Sequence, residues 1–204
     1  MRILRPFFAA LLLGAMGAGT AAAGPSIPAP DYVLAVGATL GANSNPSGGG
    51  ASAALSVLWP IEPRIRVGVQ GYADDIGTDL VQLRDPNDGT PLGPAADLHR
   101  WTWGAAWRVE ADTWTHGKWA SGVSGAWGWW RVEDDRRGDL VHAASAVGLR
   151  VGADLRRDLG HGRALGIEAN FHRLAHDPHA DWRRVERYAT VALQLRWAAA
   201  DLHD

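Results

Sequence analysis

The chain of 204 residues contains no cysteine. That excludes disulfides and a lipid anchor attached through a cysteine. It also lacks charge of one sign: 20 Lys and Arg stand against 22 Asp and Glu, a net −2. Nucleic-acid binding is therefore not expected. Beyond residue 23 no apolar run is long enough for a transmembrane helix. Nor do apolar residues recur at the i, i+3, i+4 spacing of an amphipathic helix. Stability must come from a hydrogen-bond ladder and from packing.

What is present begins with Arg2 and Arg5 ahead of an apolar run over residues 7–18. The run is too short to span a bilayer comfortably. Ala21-Ala22-Ala23 supplies a small-residue cleavage site before Gly24. Residues 1–23 read as a cleaved signal peptide, and residues 24–30 as a proline-containing lead-in.

Eight runs then alternate apolar and polar or small residues with the period of a β-strand. They cover residues 32–41, 51–59, 64–74, 100–110, 118–132, 140–155, 165–172 and 188–197. The third is the clearest, with Ile65, Val67, Val69, Gly71 and Ala73 against Arg66, Gly68, Gln70, Tyr72 and Asp74. Short turns are expected at 60–63, 112–117 and 156–163. Residues 75–97 and 176–186 read as longer polar loops, and 133–139 as a short connection. The expected fold is all-β: an eight-stranded antiparallel up-and-down barrel over residues 31–197, with a tail at 198–204.

Alternation alone does not say which face points inward. Three features favour apolar outside and polar inside, as in a transmembrane barrel. Eleven Trp and 25 Gly are many for this length. Trp59, Trp119 and Trp197 fall at one end of their strands; Trp101, Trp103, Trp127, Trp129 and Phe171 fall at the other. Those are two interface belts. The opposite face is crowded with Gly, Ala and Ser. Its charges nearly cancel: Arg66, Arg108, Arg150 and Arg196 against Asp74, Glu110, Asp154 and Glu168. These eight are expected to form a structural ion network in the bore, with Arg150 and Arg196 (or Gln194) beside Glu168. In the fifth run the small-residue face and the Trp face are open to exchange.

The signal peptide, the eight strands and a last strand ending on Trp197 together resemble the small eight-stranded outer-membrane β-barrel family of OmpA/OmpX type. The likeness covers residues 31–197. It implies the outer membrane of a Gram-negative bacterium, contact with lipid and lipopolysaccharide, and recognition by the barrel-assembly machinery through the last strand. The family normally ends on the terminal aromatic, whereas this chain continues to Asp204.

No catalytic, cofactor or metal site is expected. Outer-membrane lipid A deacylases carry His-x-Ser near the outer end of a late strand; here His172 is followed two positions later by Leu174. Ser145 is expected to face outward without a base to activate it. His176-Asp177-Pro178-His179 reads as a polar turn rather than metal ligands. Residues 85–89 lack the spacing and closing Glu of a calcium loop. Arg136, Arg137, Arg183 and Arg184 in outer loops are expected to meet lipopolysaccharide phosphates. The reading is a non-enzymatic outer-membrane protein acting through its outer loops, whose surface partner is unknown. The alternatives are a lipid A deacylase-like enzyme and a periplasmic lipocalin-like binder of an apolar ligand.

Overall fold

The computed structural model describes residues 28–42, 49–81, 85, 87–91, 93–94, 96–136, 139–176 and 185–198. The expected signal peptide, most of the lead-in and residues 199–204 of the tail lie outside the described residues. Eight strands are present: β1 Asp31–Ala42, β2 Ala51–Glu62, β3 Ile65–Val81, β4 Ala96–His116, β5 Trp119–Arg136, β6 Asp139–Gly160, β7 Arg163–His176 and β8 Val185–Ala198. Each pairs antiparallel with its sequence neighbour, and β1 closes on β8 with Asp31 opposite Ala198. Closure leaves no barrel edge with unpaired backbone groups, which a cysteine-free barrel whose described residues form no helix needs.

The strands outrun their expected ends. The turns at one mouth shrink to Pro63-Arg64, Gly117-Lys118 and His161-Gly162. Gly117 and Gly162 take positive φ there. Residues 112–116 and 156–160, read as turns, belong to β4 and β6 instead. At the other mouth β3 runs on to Val81 and β4 starts at Ala96, so residues 75–81 and 96–97 of the expected loop 75–97 are strand instead. The Asp-Asp-Ile-Gly segment that signals a loop is a β-bulge. Gly77 has φ 95° and donates its N–H to Asp75 Oδ1 at 2.8 Å, a device that bends a strand without ending it. The expected connection 133–139 shortens likewise, because β5 extends to Arg136 and β6 begins at Asp139. Strands β3 to β6 have 17, 21, 18 and 22 residues, against 12 to 14 in the other four. One side of the barrel therefore rises as a four-stranded sheet.

Facing follows parity. In β5 the small residues Ala120, Gly122, Ser124 and Ala126 line the bore, and Trp119, Val123, Trp127 and Trp129 are exposed outside. The outer wall is a continuous apolar band. Leu165, Ile167, Ala169 and Phe171 in β7 face Leu195, Leu193, Val191 and Ala189 of β8. Eight strands leave a bore only wide enough for side chains, and glycine makes room where the wall is tightest. A Cβ at Gly128 would sit 2.2 Å from the Ala105 carbonyl oxygen. Gly128→Ala is expected to lose about 1–3 kcal/mol of stability, measured by urea unfolding in detergent.

Two Trp residues beyond those named from the sequence, Trp107 and Trp114, are exposed on the outer wall. Trp107 stands opposite Trp127 in register and is exposed outside with it. Trp103 meets Trp129 edge-on at 5.7 Å, and Trp101 lies a step higher, 5.3 Å from His99. At the other mouth Trp114 is exposed outside like Trp119. Trp197 stacks on Tyr32 at 5.7 Å, while Trp59 is half-buried on β2.

Candidate functional site in the barrel interior

Away from the bulges near their ends, even-numbered residues of β4 to β8 point into the bore, and their polar members sort into layers. Lowest lies a charge layer. Arg66 holds Asp31 at 2.8 Å and Asp112 at 3.0 Å. Arg156 binds Asp154 at 2.7 Å and also meets Asp112. Arg196 pairs with Glu110. Above it, Glu168 Oε1 accepts from Arg108 Nη2 at 2.9 Å and from Arg150 Nη2 at 2.8 Å. Arg108 also reaches Glu110 at 3.2 Å. Arg108 and Glu168 are almost completely buried. Five arginines thus meet five carboxylates (Asp31, Glu110, Asp112, Asp154 and Glu168), and their pairing offsets a desolvation cost of several kcal/mol per charge.

The expected partners of Glu168 need one correction. Arg150 is beside it, but Arg196 turns to Glu110 and Arg108 takes its place from across the bore. In register, Glu168 lies between Asp154 and Ala192. The small Ala192 leaves the bore open beside Glu168, where the Arg108 guanidinium reaches it. Asp74 is the second correction. It is held by hydroxyls instead, accepting from Ser52 Oγ at 2.6 Å and Tyr188 OH at 2.7 Å.

A third layer surrounds Asp74. The Tyr188 ring stacks on His172 at 4.2 Å, and His172 Nε2 lies 3.3 Å from Thr190 Oγ1. Next to it is a cavity of about 10 Å³ lined by Ser52, Tyr72, Asp74, Arg150, His172 and Thr190 among others, room for about one water. Higher still the bore turns apolar. Ile76, Trp130, Val132, Ala146 and Leu174 pack into one cluster, and Trp130 lies 4.8 Å from Tyr72. Arg100 and Asp134 form a two-pronged ion pair at 2.6 Å for each bond.

Sequence reasoning missed Asp31, Asp112, Arg156, Arg100 and Asp134. Arg156 and Asp112 were within reach of it: each continues the inward parity of its strand by one step, and both were assigned to turns. Arg100 carried the same inward parity in the fourth run.

The remaining candidate positions do not assemble a reactive site. Ser145 faces outward opposite Arg131, whereas His172 is buried in the bore. The barrel wall separates them. Leu174, where a nucleophile would stand, is fully buried in the apolar cluster. Among the described residues no group of three or more His, Asp or Glu is arranged to hold a metal ion. The Asp85 and Asp88 carboxylates accept from Asn87 and Thr90 of the same segment. The Thr90 N–H and hydroxyl hold the Asp88 carboxyl below the usual carboxylate range. Arg136 is exposed at the end of β5; Arg137, Arg183, Arg184 and residues 177–179 lie outside the described residues.

The chain matches no family model and no curated protein sequence. Among solved structures it is similar to Neisserial surface protein A, with a TM-score of 0.59 and 14% identity over 82% of this chain and 96% of that one. Looser likenesses are the N-terminal β-barrel domain of Pseudomonas aeruginosa OprF and the attachment invasion locus protein Ail of Yersinia pestis. OprF gives a TM-score of 0.48 and 9% identity, over 83% of this chain and 98% of that one. Ail gives 0.47 and 9%, over 83% and 97%. The fold is that of the small outer-membrane barrels.

Proposed function

We propose that this chain is a non-enzymatic integral protein of a Gram-negative outer membrane, held there by its barrel and working through the parts that rise beyond it. One observation carries the reading: the outer wall is an uncharged apolar band bounded by charge. On β7 the outward positions run Arg163, Leu165, Ile167, Ala169, Phe171, Arg173. Residues 163 and 173 are ten apart, about 25 Å of height for a strand tilted by about 40°. That is the thickness of the apolar band of an outer-membrane barrel. Trp belts at both margins fit the interfaces. A water-soluble barrel would expose this whole band to solvent, far beyond the apolar patch a soluble monomer tolerates.

The short turns at Pro63, Gly117 and His161 suit the periplasmic mouth, and the tall β3–β6 sheet then stands on the outside. The last strand, ending on Trp197, is the segment the barrel-assembly machinery would recognise. A filled bore supports anchoring over diffusion, since Arg108, Glu168, Trp130 and Leu174 occupy it at successive heights. The separation of Ser145 from His172 speaks against a lipid A deacylase.

The experiment is cell fractionation, with boiled and unboiled samples compared on a gel. An outer-membrane protein whose mobility changes on boiling is the expected result; a soluble periplasmic protein without a shift would overturn the reading. Mass spectrometry of lipid A from expressing cells is expected to show unchanged acylation, and loss of an acyl chain would make the protein an enzyme.

A further inference from the structure

The bore holds buried polar atoms that find no hydrogen-bond partner among the described residues. Arg150 Nε, Asn170 Oδ1 and His172 Nδ1 are three of them. Their residues are 4%, 5% and 2% exposed, so bulk water does not serve them. A buried polar atom left unpaired is costly, and native proteins rarely tolerate one. The ladder sets the three side by side. Arg150 stands directly opposite His172 across β6 and β7, and Asn170 is the next inward position below His172. Gly152 lies opposite Asn170, and a Cβ there would sit 2.1 Å from Asn170 Oδ1. Glycine therefore leaves that oxygen its room.

The other polar atoms of these side chains are engaged. Arg150 Nη2 donates to Glu168 at 2.8 Å and Nη1 to Gln70. Asn170 Nδ2 donates to Thr190 Oγ1 at 3.3 Å, and His172 Nε2 lies at the same distance from that oxygen. All three residues line the cavity beside Asp74. Ala35, Ser52, Tyr72 and Thr190 complete its wall from β1, β2, β3 and β8, so it lies at the seam where β1 closes on β8.

The chemistry of the three atoms decides what the cavity takes. Arg150 Nε can only donate and Asn170 Oδ1 can only accept, while His172 Nδ1 does either according to the ring's tautomer. A metal cation cannot accept from Arg150, and a simple anion cannot donate to Asn170. Water has two hydrogens and two lone pairs, and it serves both atoms and either tautomer of His172. A volume of about 10 Å³ has room for one such molecule.

We infer that this cavity is a binding site for one ordered water, which accepts from Arg150 Nε, donates to Asn170 Oδ1 and completes the hydrogen bonding of His172 Nδ1. It ties the charge layer, through Arg150, to the hydroxyl layer around Asp74, and it is enclosed when the barrel closes. The inference rests on the geometry of the bore and stands apart from the outer-membrane placement.

The test is a crystal structure of the folded protein at a resolution that shows ordered water, for the wild type and for Asn170→Leu. The mobility shift on boiling checks that each is folded. The wild type is expected to show a single peak within hydrogen-bond distance of Arg150 Nε, Asn170 Oδ1 and His172 Nδ1. N170L removes the acceptor and fills part of the space, and it is expected to lose the peak while the Arg150–Glu168 and Tyr188–Asp74 contacts remain. A wild-type cavity without density overturns the site, whether or not N170L folds. A peak surrounded only by oxygen atoms would be a cation, and one surrounded only by N–H donors an anion; either overturns the water assignment. An unchanged peak in folded N170L would overturn the place given to Asn170, and the proposed site with it.

Discussion

Replacing Glu168 with leucine is expected to destabilise the barrel by about 3–5 kcal/mol, the largest single-residue effect in this structure. Glu168 Oε1 is shared by Arg108 and Arg150, and all three side chains are buried. Removing the carboxylate leaves two guanidinium groups facing each other in a bore with little access to water. Of the two, Arg108 retains a carboxylate contact, at Glu110. Leucine has nearly the right volume, so the loss measures unpaired charge rather than a cavity. The same substitution at Glu133, partly exposed on the outside and paired with Arg131, is expected to cost under about 1 kcal/mol. Urea titration of folded barrel in detergent or vesicles, followed by the mobility shift, separates the two. Equal effects would mean that the charge layer is solvated and the bore open.

The second large effect comes from the opposite side of the wall. Leu193 is 63% exposed and lies midway between Arg187 and Trp197 on β8. Leu193→Arg is expected to cost about 2–4 kcal/mol in a bilayer, the price of a cation at the midplane of a barrel's lipid face. In a water-soluble barrel the same change would be within about 0.5 kcal/mol, as for an ordinary surface site. Refolding yield into phospholipid vesicles reads the difference. The neighbouring Gln194 points inward and donates to Asp154 at 3.2 Å, so the two adjacent positions test the two faces separately.

The faces of the strands were legible in the sequence because period 2 is strict. Ile65, Val67 and Val69 lie outside and Gln70, Tyr72 and Asp74 inside, as alternation demands. The small-residue face of β5 lies inside for the same reason, since Gly122 and Ala126 share parity with the buried Trp130. Strand ends were not legible. Asp75, Asp112, Asp134 and Arg156 have the composition of turns, yet they continue ladders in which neighbouring strands satisfy their backbone groups. Local chemistry reports what a residue tolerates and says nothing of whether a partner strand is alongside. Partners across the bore were hidden for a further reason. Arg108 and Glu168 are 60 positions apart, on strands that do not adjoin. Their contact depends on the stagger with which the barrel closes.

The inside–outside assignment is the claim on which the rest depends, and the native tryptophans test it directly. Trp107, Trp114, Trp119, Trp127 and Trp129 are exposed on the outer wall near its two margins, whereas Trp130 is buried in the bore. Fluorescence of the unmodified protein is measured after refolding into vesicles of brominated phospholipid. Most of the emission is expected to be quenched, more strongly by bromines high on the acyl chain than by bromines at the bilayer centre, with a residual from Trp130. Emission unaffected by either lipid, from protein that stays in solution, would contradict the account.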